Sequence, residues 1–175
     1  MSSGDVGAEF LRSARARLGE LKALGDRALA RLDDAELAKT LDPESNSVAV
    51  LVQHIAGNMR SRWTDFLTTD GEKADRNRDG EFEPGLTAKA PLLQRWEEGW
   101  RILFAALDAL KAEDLTRTVL IRGERLSALD AINRQLVHYG QHVGQIVYLA
   151  KHHGWQSWKS LSVPRRRPGS GAGPR

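Results

Sequence analysis

The amino-acid sequence predicts an all-α protein, a four-helix bundle with a long connection between its second and third long helices. Four long segments carry apolar residues at spacings of three, four and seven, which place them on one face of an α-helix. No internal repeat and no strand pair competes with these segments, although VLIRGERL before Ser127 fits a brief extended stretch. The length of 175 residues suits one domain with a single core.

The first long helix is predicted from about Glu9 to Leu32, where leucine and alanine recur with helical spacing. Asp33 or Asp34 is then expected to cap a short helical turn, because an aspartate oxygen accepts a hydrogen bond from a free amide of the first turn. Asp42-Pro43 breaks the helical pattern after that turn.

Asn46 or Ser47 is expected to cap the second long helix, which ends near Leu67. Its apolar positions form a broad stripe made by Val48, Leu51, Val52, Ile55, Met59, Trp63 and Phe66. The chain from Thr68 to Leu86 is charged, contains glycine and has no sustained period. We therefore expect a long surface connection there.

The third long helix is predicted to begin after Thr87, with leucine and tryptophan in alternating steps of three and four, as in helix bundles. The last helix has the clearest start, because Ser127 and Asp130 resemble a capping box. Gly154 is its expected stop. One domain is thus expected over residues 1–163, followed by a disordered basic tail over residues 164–175.

Composition excludes several classes of protein. There is no cysteine, so disulfides, thiolate metal sites and a thiol nucleophile from the chain are excluded, and a metal must use nitrogen or oxygen ligands. No segment approaches the roughly 20 apolar residues of a membrane span, and the polar N-terminus lacks a signal core, so we expect a cytoplasmic protein without a membrane partner. The net charge of +3 owes much to four arginines in PRRRPGSGAGPR, so we expect no nucleic-acid binding.

The chemistry-bearing residues are concentrated in the segment His138-Tyr-Gly-Gln-His142. Residues four apart project from one face of a helix, so these two imidazoles can share a metal ion. His54 is the best third ligand, because it lies on the only other long helix that contains a histidine. The three histidines fall beside the apolar faces of their helices, which favours a site in a cleft at the edge of the bundle.

Other interpretations of the histidines stay open from spacing alone. A pair four apart is more often exposed or hydrogen-bonded than metal-bound. His152 and His153 lie in the last helical turn, where histidine can interact with free carbonyl groups, and we assign them no ligand role. The glutamate of an HExxH metalloprotease is missing beside His138, which argues against that mechanism.

Two segments carry a family resemblance, NSVAVLVQHIAGNMRSRWTDFLTTDGE and RQLVHYGQHVGQIVYLAKHHGWQSWKSLSVPR. Together they resemble the DinB-like superfamily, in an uncharacterised bacterial branch, and the resemblance runs from about Phe10 to Arg165. It implies a four-helix bundle in which His54, His138 and His142 bind one divalent metal ion, nickel or zinc. It also implies a homodimer. The family ending is lost after Pro164.

The resemblance implies two kinds of function. Relatives include transferases and isomerases that use low-molecular-weight thiols, so this chain is expected to be a metal-dependent transferase or hydrolase that acts on a small molecule with an external thiol or water. The alternative is a non-catalytic, metal-stabilised dimeric interaction or stress-response module. Catalytic residues are not identified. Asn58, Gln135 and Gln145 are candidates for orienting the ligands or a substrate.

A second motif lies in the long connection. Asp75, Asn77, Asp79 and Gly80 match the first half of an EF-hand calcium loop, but the position of its closing carboxylate is Leu86. We therefore expect no calcium site. A charged turn that shapes the mouth of the cleft or a partner surface is the preferred interpretation.

The tryptophans offer a choice between core and ligand contact. Trp96 and Trp100 lie four apart, which fits core or dimer packing better than an aromatic wall for a substrate. Trp63 is expected in the core. Trp155 and Trp158 follow the last helix, where they can pack the chain back over the bundle.

Overall fold

The computed structural model describes residues 3–83 and 85–161. This part is predominantly helical, as predicted, with five α-helices: α1 (Ser3–Leu29), α2 (Asp34–Ala38), α3 (Val48–Trp63), α4 (Lys89–Ala109) and α5 (Ala128–His153). It also contains short 3-10 segments at Asp79–Glu81 and Ala112–Thr116, and two strands, β1 (Thr118–Ile121) and β2 (Glu124–Ser127). The predicted basic tail, residues 164–175, and the last two residues of the predicted domain lie outside the described residues.

Three helices begin at side-chain caps near the predicted positions. Asp33 caps α2 in a reciprocal box with Glu36. The Ser47 hydroxyl accepts from the Val50 amide at the start of α3. At the start of α5, the Ser127 hydroxyl accepts from the amide three residues later. Each cap satisfies an amide that the helix itself leaves free, so local sequence fixes these starting points.

Helix α4 begins after Thr87, as predicted, but Thr87, which we expected to cap it, is not the cap residue. Ala88 occupies the cap position and makes no side-chain hydrogen bond. The Lys89 amide instead donates to the Asp34 carboxylate over 3.1 Å. A distant residue therefore supplies the cap, and local sequence carries no trace of it. Helix α3 also ends earlier than predicted, because Asp65 adopts a left-handed conformation with φ of 50°.

The long helices share one core. Helix α3 packs against α4 and α5, and α1 packs against α5 and α4. Trp63, Trp96 and Trp100 are buried in this core, so the prediction of core packing is confirmed for all three. Gly99 allows α3 and α4 to approach closely, because a Cβ there would lie 3.2 Å from the Ala56 Cα.

Only one of the two late tryptophans packs back over the helices. Trp158 packs against the core, and its ring lies 4.6 Å from the Arg31 guanidinium carbon. Trp155 is exposed, so the expectation that it packs over the bundle is wrong.

The expectation that the chain has no strand pair is also wrong. Strands β1 and β2 form an antiparallel hairpin. Its turn residues, Arg122 and Gly123, have φ of 57° and 74°. Two positive φ values fit a type I′ turn, whose twist matches that of paired strands. The Asp70 carboxylate accepts from both turn amides, over 2.9 Å and 2.8 Å, so the connection after α3 holds the hairpin.

Within the described residues, no helix combines the length and the apolar character that crossing a membrane requires.

Candidate metal centre

The three predicted ligands meet between α3 and α5. His54 Nε2 lies 3.2 Å from His138 Nε2, which lies 3.1 Å from His142 Nε2. The three ligand atoms all lie within 4.8 Å of one another. Two nitrogens on a tetrahedral zinc ion, each at ~2.0–2.1 Å, would be ~3.3 Å apart. The observed separations therefore suit a shared metal ion.

Two of these rings are held from behind. His54 Nδ1 lies 2.9 Å from the Glu81 carboxylate, and His142 Nδ1 lies 2.8 Å from the Gln145 amide oxygen. Both partners are acceptors, so Nδ1 carries the proton and donates in each ring. The lone pair of each neutral ring is then on Nε2. These are the tautomers that a ligand set using Nε2 requires.

His138 lies between these two lone pairs. A proton on its Nε2 can be donated to His54 or His142, but it cannot satisfy both acceptors fully. A cation in the same place accepts all three lone pairs. His138 Nδ1 is buried and has no hydrogen-bond partner among residues 3–83 and 85–161, so the tautomer of His138 is not fixed from behind as those of His54 and His142 are. The donor set and its tautomers therefore fit a divalent transition metal.

Glu81 is itself fixed by Arg76. The Arg76 Nε donates to Glu81 Oε1 and its Nη2 donates to Oε2, each over 2.8 Å. Burial raises the pKa of Glu81, but hydrogen bonds from His54 and Arg76 outweigh burial and lower this pKa below its ordinary value. Glu81 is therefore a carboxylate that orients the His54 ring.

A second carboxylate holds the surrounding loop. Glu72 accepts from Arg62 over 2.9 Å, from Arg122 over 3.0 Å and from Arg76 over 3.3 Å. Arg62 also donates to the Gly71 carbonyl. This network joins α3, the following connection and the hairpin turn, so three separate segments are fixed beside the histidines.

Burial favours the neutral form of His138 and His142. It lowers the pKa of His138 to about 3, with smaller contributions from His142, His54 and nearby arginines. Burial also lowers the pKa of His142, where the hydrogen bond to Gln145 opposes the effect only in part. Neutral imidazole is the form that binds a metal, so these two rings are ready for coordination near neutral pH.

A cavity of about 290 Å³ opens beside the histidines. Its lining residues are His54, Asn58, Arg62, Arg76, Arg78, Phe82, Arg122, Arg134, Gln135, His138 and His142. The Phe82 ring lies 4.6 Å from the His54 ring and covers part of the site. The site is thus a cleft bordered by α3, α5 and the long connection, in agreement with the expected position at an edge.

The three candidate orienting residues have different environments. Gln145 contacts the proposed ligand His142 directly. Gln135 lines the cavity, and its buried amide oxygen has no hydrogen-bond partner among the described residues. Asn58 also lines the cavity, but its amide oxygen accepts from the Tyr139 hydroxyl over 2.9 Å. Gln135 therefore has the freer side chain for contact with a ligand.

The EF-hand half-motif does not form a ligand cluster. In the described part of the chain, the only group of three or more histidines, aspartates or glutamates with converging ligand atoms is the histidine triad. The Asn77 side chain accepts from the Gly80 amide over 3.0 Å, which stabilises a turn. Arg76, Arg78 and Phe82 line the cavity. The loop therefore shapes the mouth of the cleft, one of its two predicted roles.

Sequence reasoning missed Glu81, Arg76 and Arg122. Glu81 lies 27 residues after His54, in a connection with no periodicity. Arg122 reaches the cleft through a hairpin that was not predicted. The one sequence feature that pointed to Glu81 and Arg76 was the run of charged residues after the helix that carries His54.

One family comparison finds a match over nearly the whole chain. The family described as "Protein of unknown function (DUF1572)" matches residues 5–167. No curated protein matches the chain.

Proposed function

The chain belongs to the DUF1572 family, and we propose that it is a metal-binding four-helix bundle of the DinB-like type. His54, His138 and His142 hold one divalent ion, nickel or zinc, since imidazole ligands suit both metals. The convergence of three Nε2 atoms, with two Nδ1 atoms already bonded to Glu81 and Gln145, carries the proposal. The contacts of α1, α3, α4 and α5 support the bundle.

The site supports a reaction with an external nucleophile. A divalent ion held by three imidazoles supplies a Lewis acid that can lower the pKa of a bound thiol or water. Glu81 and Gln145 fix the ligand rings, and Phe82 shields one of them from solvent. The chain has no cysteine, so a thiol nucleophile must be a separate small molecule. We infer a cytoplasmic metal-dependent transferase or hydrolase.

A specific observation favours the alternative, a non-catalytic metal-stabilised module. Among the described residues, those that line the cavity include no aspartate or glutamate. Its three histidines are the proposed ligands, so no lining residue has the properties of a general base near neutral pH. Turnover would then depend on a nucleophile that the metal alone activates.

The deciding experiment combines metal analysis with a reactivity screen. Purified without chelator, the protein should contain about one nickel or zinc ion per chain. The loaded protein should then be screened with low-molecular-weight thiols and with water against electrophiles and esters. His138→Ala with His142→Ala serves as the matched control. Turnover by the wild type alone supports the enzyme, and metal without turnover supports the module.

We also propose that the protein is a homodimer. Val137 and Tyr148 are large apolar side chains exposed on α5. Their burial would remove apolar surface from water, and two-fold dimers are the commonest closed assembly. Light scattering at micromolar concentration should give twice the chain mass, and a monomer mass would contradict the dimer.

A further inference from the structure

Arginine dominates the charged lining of the cavity beside the histidines. Its charged residues, apart from the histidines, are Arg62, Arg76, Arg78, Arg122 and Arg134. In the part of the chain that the structure describes, no aspartate or glutamate lines it. The carboxylates that contact these arginines therefore lie outside the lining, and guanidinium groups face whatever enters the cavity.

Two of the arginines have a structural explanation. The side chains of Arg62 and Arg76 are only 7% and 5% exposed. Arg76 is bonded to Glu72 and Glu81, and Arg62 to Glu72 and the Gly71 carbonyl. They position the loop and the carboxylate behind His54. Even so, Arg62 Nε is a buried donor without a partner among the described residues.

The other three arginines keep unused donors. The side chains of Arg78, Arg122 and Arg134 are 47%, 52% and 48% exposed. Arg122 uses Nε for Glu72, and Arg134 uses Nη1 for Glu124. A guanidinium has five N–H donors, so each of these groups can still bind an anion.

These three side chains come from separate elements. Arg78 lies in the long connection, Arg122 in the hairpin turn and Arg134 on α5. Arg122 is held in place because Asp70 accepts from its backbone amide. Asp79, Glu72 and Glu124 each accept from one donor of these side chains, but such ion pairs do not explain why three like charges, which repel one another, border one cavity. An anionic ligand does, because guanidinium forks match carboxylate and phosphate groups.

We propose that this cavity binds a small molecule with a carboxylate or phosphate group, held by Arg122 and Arg134 with Arg78 at the same mouth. The ligand would be a substrate of the histidine site, and this part of the proposal rests on the proposed function. The buried Gln135 amide would contact the body of the ligand. A volume of about 290 Å³ limits the ligand to a small metabolite, since drug-sized sites begin at about 300 Å³.

The test measures anion binding by calorimetry with three probes. Inorganic phosphate and succinate carry the two candidate groups, and succinamide is the uncharged counterpart of succinate. Each is titrated into the full-length wild type and into Arg122→Asn with Arg134→Gln. Asparagine suits the positive φ of position 122, so the turn should persist. Arg95→Gln with Arg101→Gln, at exposed positions of α4 outside the cavity lining, controls for the loss of two positive charges.

Phosphate or succinate should bind the wild type, and the anion that binds more tightly identifies the preferred group, phosphate or carboxylate. Succinamide should bind at least tenfold more weakly than that anion. The double variant should lose about tenfold or more in affinity, because it removes two charged groups that can donate hydrogen bonds to the anion. Arg95→Gln with Arg101→Gln should stay within about twofold of the wild type. Equal affinity in the double variant, equal binding of succinamide, or no anion binding at millimolar concentration would overturn the proposal.

Metal content measured on the same preparations separates the two proposals. Wild type without metal would contradict the proposed function, whereas arginine-dependent anion binding by that protein would still support the present inference. Conversely, a metal-loaded protein whose anion affinity ignores Arg122 and Arg134 contradicts the inference alone. Arg134→Lys should recover only part of the affinity, since lysine restores the charge without the fork.

Discussion

Two histidine pairs lie on the same helix, α5, and differ in what surrounds them. His138 and His142 meet His54 of α3, and the ligand atoms of these three residues converge. His152 and His153 lie at the end of α5, where their rings contact each other at 5.5 Å. The residue type is the same in both pairs. A third histidine on another helix distinguishes the first pair.

Neutrality does not separate the two pairs. Burial lowers the pKa of His153, as it lowers the pKa of His138 and His142, and Lys39 and His152 lower the pKa of His153 further. A neutral imidazole is therefore necessary for a ligand but not sufficient. The first pair also has Gln145 to fix the tautomer of His142. The predictions below test which of these differences matters.

The largest expected effect is loss of the metal on removing the first pair. His138→Ala with His142→Ala leaves one imidazole, which cannot hold the ion alone, so metal content should fall from about one per chain to near zero. His152→Ala with His153→Ala should leave it unchanged, because that pair lies roughly 15 Å along the helix from the site. Elemental analysis of protein purified without chelator measures both.

The fold should survive in both double variants, because the core of the long helices does not depend on the ion. Circular dichroism should show the same helical content as in the wild type. Equal metal content in the two double variants would remove the distinction between the pairs and leave a helical protein with surface histidines.

The second effect concerns the group behind His54. Glu81→Gln keeps the size of the side chain but removes the charge that accepts from His54 Nδ1 and Arg76. The ring becomes less well oriented, so metal affinity should fall by about 10–100-fold. Competition with a chromogenic chelator measures the change.

Glu83→Gln is the matched control for Glu81→Gln, since Glu83 is exposed in the same connection. It should leave the affinity within about twofold of the wild type. If the two variants bind metal equally well, the carboxylate behind His54 has no role in holding the ion.

The third effect is the pH dependence of the metal-free protein. Because the folded pKa of His138 is about 3, below the ordinary 6.5, the unfolded chain takes up its proton first as pH falls. Folding stability should therefore be full above pH 6.5 and decline between pH 6.5 and 3. The lowered pKa of His142 acts in the same direction. Urea unfolding across this range measures the decline.

His138→Ala with His142→Ala should reduce this decline, whereas His152→Ala with His153→Ala should remove a smaller part of it. Metal loading should follow the same direction, because protons compete with the ion for Nε2. The ion should remain bound at pH 5.5, where free histidine is mostly protonated, and should leave as pH approaches 3. Release at pH 6.5 would show that burial does not protect these rings.

Sequence predicted the parts of this site that regular helices place. Spacing of four put His138 and His142 on one face, and the caps Ser47 and Ser127 fixed where α3 and α5 begin. The meeting of these helices depends on tertiary packing. His54 was the best third ligand because it lies on the only other long helix with a histidine, and the resemblance supported that choice.

The missed features depend on contacts made in irregular segments or on a turn with an uncommon sequence. Glu81 is placed by Arg76 in an irregular loop, and the start of α4 is satisfied by Asp34. To predict the hairpin, Arg122 and Gly123 had to be recognised as a type I′ turn, although the asparagine or aspartate that usually precedes the glycine is missing. No local sequence pattern indicates the contact of Glu81 with His54 or that of Asp34 with the start of α4.

The smallest expected effect is that of calcium on the EF-hand half-motif. This motif extends the comparison of the two histidine pairs to a set of oxygen ligands. The EF-hand half-motif has the residue types and the spacing of calcium ligands, just as His152 and His153 have the rings of metal ligands. In both cases the ligand atoms do not converge on one point with those of a third residue in the described part of the chain. The side chains of Asp75 and Asp79 are 76% and 96% exposed, and the Asn77 oxygen accepts from the Gly80 amide. Leu86 takes the place of the closing carboxylate.

Millimolar calcium should therefore leave the melting temperature of the metal-loaded protein within about 1 °C, because an ion that does not bind the folded state cannot stabilise it. Magnesium at the same concentration controls for ionic strength. Calorimetry should show no saturable calcium binding. One calcium ion per chain, lost in Asp75→Asn with Asp79→Asn, would show that the loop rearranges into a site and that spacing alone was the better guide there.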